Sequence, residues 1–211
     1  MDTALLVSAL ATLLVTIDPP GLAPIFLSLT SGMDRNQRRQ VGLRATITGI
    51  AVLLVFAFFG AGLLDALGIS LNSFRIAGGL LLFAIAFEMI FEKRQQRQES
   101  TANTAVTQDD IRNIAAFPLA TPLIAGPGAI SATVLLSGEF SGAVGMAALC
   151  AMLVACGLIL AAVFLAAESL DRFLGVTGRA LLTRLLGVLL AALSVQYVVD
   201  GIRGAMAATV S

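Results

Sequence analysis

The sequence predicts an all-α integral membrane protein with six transmembrane helices in two inverted three-helix repeats, the first and fourth helices being broken near mid-membrane. Three observations lead to this prediction: long apolar runs separated by short polar segments, prolines confined to two of these runs, and similarity between the two halves. Of the 211 residues, 58% are hydrophobic and only 12% are charged. So few charges could not cover the surface of a soluble protein of this size, which indicates an apolar solvent.

Six apolar runs are long enough to cross a bilayer, which takes about 20 helical residues. Unbroken apolar runs are typical of helices, whereas transmembrane barrels alternate apolar and polar residues. No Lys or Arg precedes the first run, so it is predicted to be a span rather than a signal peptide. The predicted spans are residues 3–30, 41–64, 71–92, 116–137, 141–167 and 179–200, with polar segments such as 168–178 between them.

Basic residues fall mainly on one side of the predicted membrane. Eleven of the thirteen Lys and Arg residues belong to the first, third and fifth loops or the adjoining helix ends, and only Arg75 and Arg203 lie on the other side. Since Lys and Arg accumulate in cytoplasmic loops, these three loops are predicted to be cytoplasmic and both termini external. The predicted units are a first repeat over 1–92, a solvated cytoplasmic linker over 93–115 and a second repeat over 116–211.

All six prolines of the chain fall in spans one and four. Proline removes a backbone donor and breaks or kinks a helix. In a bilayer the freed carbonyl groups must be satisfied by protein or by a water-filled cavity. Two broken helices therefore predict a polar cavity at membrane depth, the alternative being two independent kinks that only shape the bundle. The prolines are Pro19, Pro20, Pro24, Pro118, Pro122 and Pro127.

The two predicted breaks resemble each other. The Pro-Gly pair at residues 20–21 aligns with the pair at 127–128 at an offset of 107, and Arg75 of span three aligns with Arg184 of span six at an offset of 109. Near-equal offsets favour a duplicated unit of three spans. An odd number of spans gives the two copies opposite orientations, which is the plan of many secondary transporters that bind substrate where discontinuous helices meet.

At these motifs the sequence resembles the MarC family of bacterial and archaeal membrane proteins. The resemblance rests on residues 18–21 (Asp-Pro-Pro-Gly), 117–122 (Phe-Pro-Leu-Ala-Thr-Pro), 125–130 (Ala-Gly-Pro-Gly-Ala-Ile), 75–79 (Arg-Ile-Ala-Gly-Gly) and the late 196–202 segment. It implies six spans in two inverted halves and a location in the bacterial or archaeal cell (inner) membrane. For at least some members it also implies transport of small neutral amino acids such as glycine and alanine.

The breaks supply candidate binding groups. A helix that restarts after a break presents unpaired N–H groups and a partial positive charge, which suit a carboxylate. Such starts are predicted near Gly21 and Gly128, and the carbonyls before the breaks, near Thr16 and Ala125, are predicted acceptors for an ammonium group or a cation. The predicted substrate-binding residues are Thr16, Asp18, Pro20, Gly21, Ala125, Gly126, Pro127, Gly128, Ser131 and Gln196.

Several of these residues have two interpretations. Asp18 lies near the middle of span one, where a charge costs about 2.5–3.5 kcal/mol or more unless it is paired or wetted. It is a candidate coupling site for a proton or cation, and equally a candidate cap of the restarting helix. Ser131 and Gln196 either contact substrate or form hydrogen bonds within the bundle. Arg75 and Arg184 are either interface anchors or members of gating salt bridges.

The predicted function is secondary transport of small neutral amino acids by alternating access, coupled to a proton or sodium gradient and without another cofactor. No phosphate-binding loop is visible. The chain has no histidine, and no metal-ligand or paired catalytic carboxylate pattern supports an enzyme. The predicted partners are the amino acid and the lipid bilayer, with no nucleic acid and with a homo-oligomer as an option. The alternatives are a channel or exporter for another small solute, or a structural or regulatory membrane protein.

Overall fold

The computed structural model describes residues 3–105, 114–140 and 142–210, and all the regular structure in these ranges is helical. Residues 106–113 of the predicted linker lie outside the described residues. The sixth helix has π-type hydrogen bonding, with non-helical backbone at Phe117 and Thr121. The helices are α1 (Thr3–Ile17), α2 (Pro19–Leu29), α3 (Arg35–Ala66), α4 (Leu71–Ile90), α5 (Lys93–Ala105), α6 (Ala115–Ile124), α7 (Pro127–Glu139), α8 (Gly142–Leu165) and α9 (Ala167–Val210).

Five helical segments are long and apolar enough to cross a membrane, and α6 with α7 makes a sixth if this pair, bent by 58°, is one span. Much of their apolar surface faces outward, including Phe59 at 70% and Val144 at 74% exposure. Exposed apolar area of this extent requires a bilayer or a partner surface. The prediction of an all-helical, multi-pass membrane protein is confirmed to this level. The five segments are Thr3–Leu29, Arg35–Ala66, Leu71–Ile90, Gly142–Leu165 and Arg172–Ala207.

Capping side chains determine where α3 and α4 begin. Asp34 accepts a hydrogen bond from the N–H of Gln37 at 2.9 Å, and the Gln37 side chain accepts one from the N–H of Asp34 at 3.0 Å. This reciprocal capping box satisfies two of the unpaired donors at the start of α3. Ser70 caps α4 in a similar way, because its hydroxyl accepts from the N–H of Ser73 at 3.1 Å.

Two segments that were predicted as polar loops are helical instead. Residues 168–178 form the start of α9, which turns sharply at Gly175, where φ is 59°. This φ is readily available to glycine, so the chain changes direction without a loop. The start of the predicted solvated linker is α5, in which Arg94 and Gln98 are buried. The prediction of a solvated linker is wrong for these residues, because polarity of the sequence does not reveal burial against a bundle.

Glycines allow close packing between α4 and α9, which run antiparallel along each other. A Cβ atom at Gly79 would lie 2.8 Å from the Val198 side chain, and one at Gly187 would lie 3.0 Å from Met89. Early residues of α4 therefore meet late residues of α9, and late residues of α4 meet earlier ones of α9. Small residues at such positions let membrane helices approach closely.

The two proline-containing segments pack against the bundle, and the helix ends before their breaks are buried. Ile17 and Ile124, which end α1 and α6, are both fully buried. The α3 helix packs against α8 and against both α6 and α7. Phe26 of α2 stacks on Phe164 of α8 with ring centroids 4.4 Å apart. The helix ends before both breaks are thus buried, whereas Pro127 after the second break is exposed.

Candidate functional site

The first break is a single residue, Asp18, between α1 and α2. Its backbone is left-handed, with φ 56° and ψ 60°, a conformation that aspartate adopts more readily than most residues. One carboxylate oxygen accepts a hydrogen bond from the N–H of Gly21 at 3.2 Å. A Cβ atom at Gly21 would collide with this carboxylate. The structure therefore places Asp18 as the cap of α2, and its role in coupling stays a prediction.

The second break is wider and has no such cap. Gly126 is the N-cap residue of α7, and no side chain forms a capping hydrogen bond there among the described residues. A Cβ atom at Gly126 would lie only 2.5 Å from the carbonyl oxygen of Pro122. A larger residue would therefore require a backbone shift. The first residue of α7, Pro127, has no N–H, so Gly128 and Ala129 present the first donors of this helix.

A cavity of about 250 Å³ lies beside the second break. Its volume is below the about 300–1,000 Å³ of pockets for drug-sized ligands, so it suits a small solute. It joins the two breaks, because Thr16 of α1 and the start of α7 form parts of the same wall. The lining residues are Thr16, Ile85, Arg94, Arg97, Gln98, Pro122, Leu123, Gly126, Pro127, Gly128 and Ala129.

Arg94 from α5 reaches into the space between the two breaks. The residue is only 6% exposed. Its Nη2 donates a hydrogen bond to the carbonyl oxygen of Thr16 at 2.6 Å, and its Nη1 lies 3.5 Å from the sulfur of Met89. Nε is buried and has no hydrogen-bond partner among the described residues. Arg94 and Asp18 also line one narrow crevice, so a buried cation lies near a buried carboxylate.

Sequence reasoning missed Arg94. Because it follows span three by a few residues, it looks like any basic residue of a cytoplasmic loop. The Thr16 carbonyl accepts a hydrogen bond from the Arg94 side chain, so its role as an acceptor for a substrate ammonium group or a coupling cation stays a prediction. A possible signal was the isolated break at Asp18, which required some donor for the last carbonyls of α1.

The structure brings together only part of the predicted set. Thr16 and residues 126–128 line the cavity, and Gly21 lies in the adjoining crevice with Asp18. Pro20 is half-buried and Ser131 is buried, but neither lines the cavity. Ala125 is buried outside the lining, with its N–H donating to Ala120 at 2.8 Å. Gln196 is exposed, and its amide donates to the Asp200 carboxylate at 2.9 Å.

The two arginines at matching repeat positions both form ion pairs between elements. Arg75 of α4 lies 3.4 Å from Glu139 at the end of α7, and both side chains are largely buried. Arg184 of α9 lies 2.8 Å from Glu92, and both side chains are about half exposed. These contacts agree with a role in joining helices, whereas gating remains a prediction.

A larger cavity of about 540 Å³ lies elsewhere, where α2, α3, α8 and α9 meet. Its rim carries Arg35, Arg38 and Arg39, and Arg38 pairs with Glu168. None of the predicted substrate-binding residues lines it. We take the smaller cavity as the candidate site, because residues beside both breaks line it and it contains the buried cation of Arg94.

Comparison with known proteins gives a consistent assignment along almost the whole chain. A model of MarC family integral membrane proteins matches residues 3–206. A UPF0056 membrane protein of Methanocaldococcus jannaschii is 36% identical over 208 residues, which cover 98% of this chain and all of that protein. The UPF0056 membrane protein YhcE of Escherichia coli is 36% identical over 205 residues, covering 91% of this chain and 89% of its own. No solved structure matches the chain significantly.

Proposed function

Since the chain belongs to the MarC family of integral membrane proteins, we propose that it carries small neutral amino acids, such as glycine and alanine, across the bilayer as a secondary transporter. The observation that carries this proposal is the cavity of about 250 Å³ beside the second break, which an uncapped helix start and the end of the preceding helix line together. The proposal is for a transporter rather than an enzyme.

The chemistry of this cavity suits a zwitterion. The uncapped start of α7 offers backbone N–H groups and a partial positive charge to a carboxylate. Pro122 and Leu123 at the end of α6 line the same cavity, and the last carbonyls of a helix lack helical partners, so they suit an ammonium group. Ile85 and Leu123 provide an apolar wall for a short side chain. A small neutral amino acid requires all three of these groups within a small volume.

We propose further that the two halves are inverted repeats and that substrate access alternates between the membrane faces. The contact of Gly79 with Val198 and the contact of Gly187 with Met89 support this arrangement. The two glycines are 108 residues apart and their two partners 109 apart, so exchanging the halves maps one contact onto the other. In this proposal α1–α2 and α6–α7 are the corresponding discontinuous helices.

The proposed location is the cell (inner) membrane, with the basic ends of the bundle in the cytoplasm and both termini outside. Arg38, Arg97 and Arg184 support this orientation, since each belongs to the predicted cytoplasmic side. The proposed energy source is a proton or sodium gradient, with Asp18 as the candidate coupling residue beside its role as a cap.

Uptake of labelled glycine and alanine into proteoliposomes tests the function. We expect saturable uptake that unlabelled small amino acids compete for, that an imposed proton or sodium gradient drives, and that empty liposomes lack. Preloading with unlabelled alanine is expected to accelerate uptake, because a carrier exchanges substrate whereas a channel does not. Absence of uptake by protein shown to be folded would contradict the proposal.

The same experiment separates the alternatives. Flux that rises linearly with concentration and shows no exchange would favour a channel. Exchange of another small solute without competition by amino acids would favour a different cargo. Asp18→Asn in the same liposomes tests coupling, since we expect it to keep exchange while losing the dependence on the gradient.

A further inference from the structure

Arg94 is incompletely satisfied for a buried charge. A guanidinium group has five donors in a fixed plane and remains charged in proteins. Here one strong acceptor, the Thr16 carbonyl at 2.6 Å, is joined by the weakly accepting sulfur of Met89 at 3.5 Å. Nε is buried without a partner among the described residues. An unpaired buried donor is destabilising, so the guanidinium group of Arg94 has donors left for an additional acceptor.

The cavity beside Arg94 favours that acceptor being an anion. Among the described residues, the charged ones that line it are Arg94 and Arg97, with no Asp or Glu. Arg97 is paired with Glu88 at 3.0 Å and is well exposed, which leaves Arg94 as the buried cation of the site. The uncapped start of α7 lies in the same wall and adds a second source of positive potential.

We propose that Arg94 is the specificity-determining residue of this cavity and that it binds the carboxylate of the transported amino acid. The donors of Arg94 that Thr16 and Met89 do not occupy would take one or both carboxylate oxygens, since the planar guanidinium matches a carboxylate in two-point geometry. The N–H groups at the start of α7 complete the binding. This inference rests on the proposed function and names the residue that recognises the substrate.

Arg94 also connects the two breaks. Nη2 of Arg94 holds the Thr16 carbonyl at the end of α1, while Arg94 also lines the cavity of the second break. Asp18 is the counter-charge in the adjoining crevice. The ammonium group of the substrate is therefore held at the end of α6 rather than at Thr16, whose carbonyl already has a donor.

Binding of alanine to the purified full-length protein in detergent tests the proposal separately from transport. We expect Arg94→Gln to weaken alanine binding by about 30-fold or more, the usual effect of truncating one partner of a buried charge pair. Arg94→Lys is expected to restore part of the affinity, because it keeps the charge without the two-point geometry. Arg44→Gln is the matched control: it removes an exposed charge on α3 that does not line the cavity, and we expect unchanged affinity.

Alaninamide, which lacks the carboxylate, provides a test that needs no variant. We expect the wild-type protein to bind it at least about tenfold more weakly than alanine, because a charge-assisted hydrogen bond contributes about 1.5–3 kcal/mol. Equal binding of both compounds, or unchanged alanine binding by folded Arg94→Gln, would overturn the proposal while leaving the transporter function intact. If the protein bound acetate but no amino acid, and Arg94→Gln abolished the acetate binding, the proposed function would be contradicted. Arg94 would still be identified as a residue that binds carboxylates.

Discussion

The two breaks interrupt membrane helices in similar Pro-Gly sequences, yet they satisfy their polar groups differently. At the first break the protein supplies both partners: the Asp18 carboxylate caps α2, and Arg94 holds the Thr16 carbonyl. At the second break no described side chain caps α7, whose N-cap residue Gly126 lies beside a cavity. Because buried polar groups require partners, the first break is closed by side chains and the second is suited to a ligand.

A small difference in sequence accounts for this contrast. When the glycines Gly21 and Gly128 are aligned, the residue corresponding to Asp18 is Ala125, whose methyl side chain cannot accept a hydrogen bond. Gly126 cannot carry a side chain easily either, because the Pro122 carbonyl occupies the space. Internal duplication therefore predicts where helices break, but the capping residue decides whether a break is closed or available.

The largest loss of stability is expected at the first break. Asp18→Ala removes the cap, which contributes about 1 kcal/mol, and the buried negative charge near Arg94. A buried charge left without compensation costs about 1–3 kcal/mol or more, so we expect a total loss of about 2–4 kcal/mol. Asp18→Asn should lose less, since asparagine keeps the capping oxygen and tolerates left-handed backbone. The free energy of unfolding in mixed micelles measures both. A loss of only about 1 kcal/mol for Asp18→Ala, as for a cap alone, would mean that Arg94 does not depend on Asp18.

A double variant sharpens this prediction. If Asp18 offsets the charge of Arg94, Arg94→Gln should reduce the cost of Asp18→Ala, so that the two effects are less than additive. Additive losses would show that the two side chains stabilise the bundle independently.

The next largest effect is expected at the second break. Gly126→Ala places a methyl group against the Pro122 carbonyl, and we expect a loss of about 1–3 kcal/mol, which is typical of overpacking. Gly62→Ala on α3 is the control, because a Cβ atom there meets no other atom within 4 Å. In a helix this control should be neutral or stabilising by up to about 1 kcal/mol. Thermal unfolding in one detergent compares the stability of the two variants. Equal stability would contradict the view that the Pro122 carbonyl leaves no space for a side chain at Gly126.

The sequence predicted the all-helical, multi-pass membrane class, because hydropathy acts locally. The breaks of spans one and four near mid-membrane stay a prediction, although helices do end at Ile17 and Ile124. The sequence predicted neither the burial of Arg94 nor the helical start of α9, since both depend on contacts between distant segments. Gln196 was predicted either to contact substrate or to form a hydrogen bond within the bundle, and its amide donates to the Asp200 carboxylate one turn away on the same helix. Residues adjacent to the breaks were predictable, and those that reach them from another helix were not.

Substitution of Gly128 tests whether the second break needs a residue without a side chain at this position. A Cβ atom there would collide with the Cδ1 atom of Ile85, so Gly128→Ala alone mixes packing with access to the N–H groups. Ile85→Val removes that carbon at a cost of about 0.5–1.5 kcal/mol. We expect Gly128→Ala to be tolerated better in an Ile85→Val background, with a coupling energy of about 0.5–3 kcal/mol. Unfolding of the single and double variants measures this coupling, and additive effects would contradict the contact.

The smallest effects are expected at the two arginine pairs, where the halves of the molecule can be compared directly. The Arg184–Glu92 pair is about half exposed, so a double-mutant cycle should give about 0.2–1 kcal/mol, falling as salt is added. The Arg75–Glu139 pair is longer, at 3.4 Å against 2.8 Å, which reduces the attraction by only about a fifth at equal dielectric. Its side chains are only 17% and 22% exposed, and the lower effective dielectric of such a site raises the attraction severalfold. We therefore expect a larger, less salt-sensitive coupling for Arg75–Glu139. The reverse order would mean that geometry rather than burial sets the strength of these pairs.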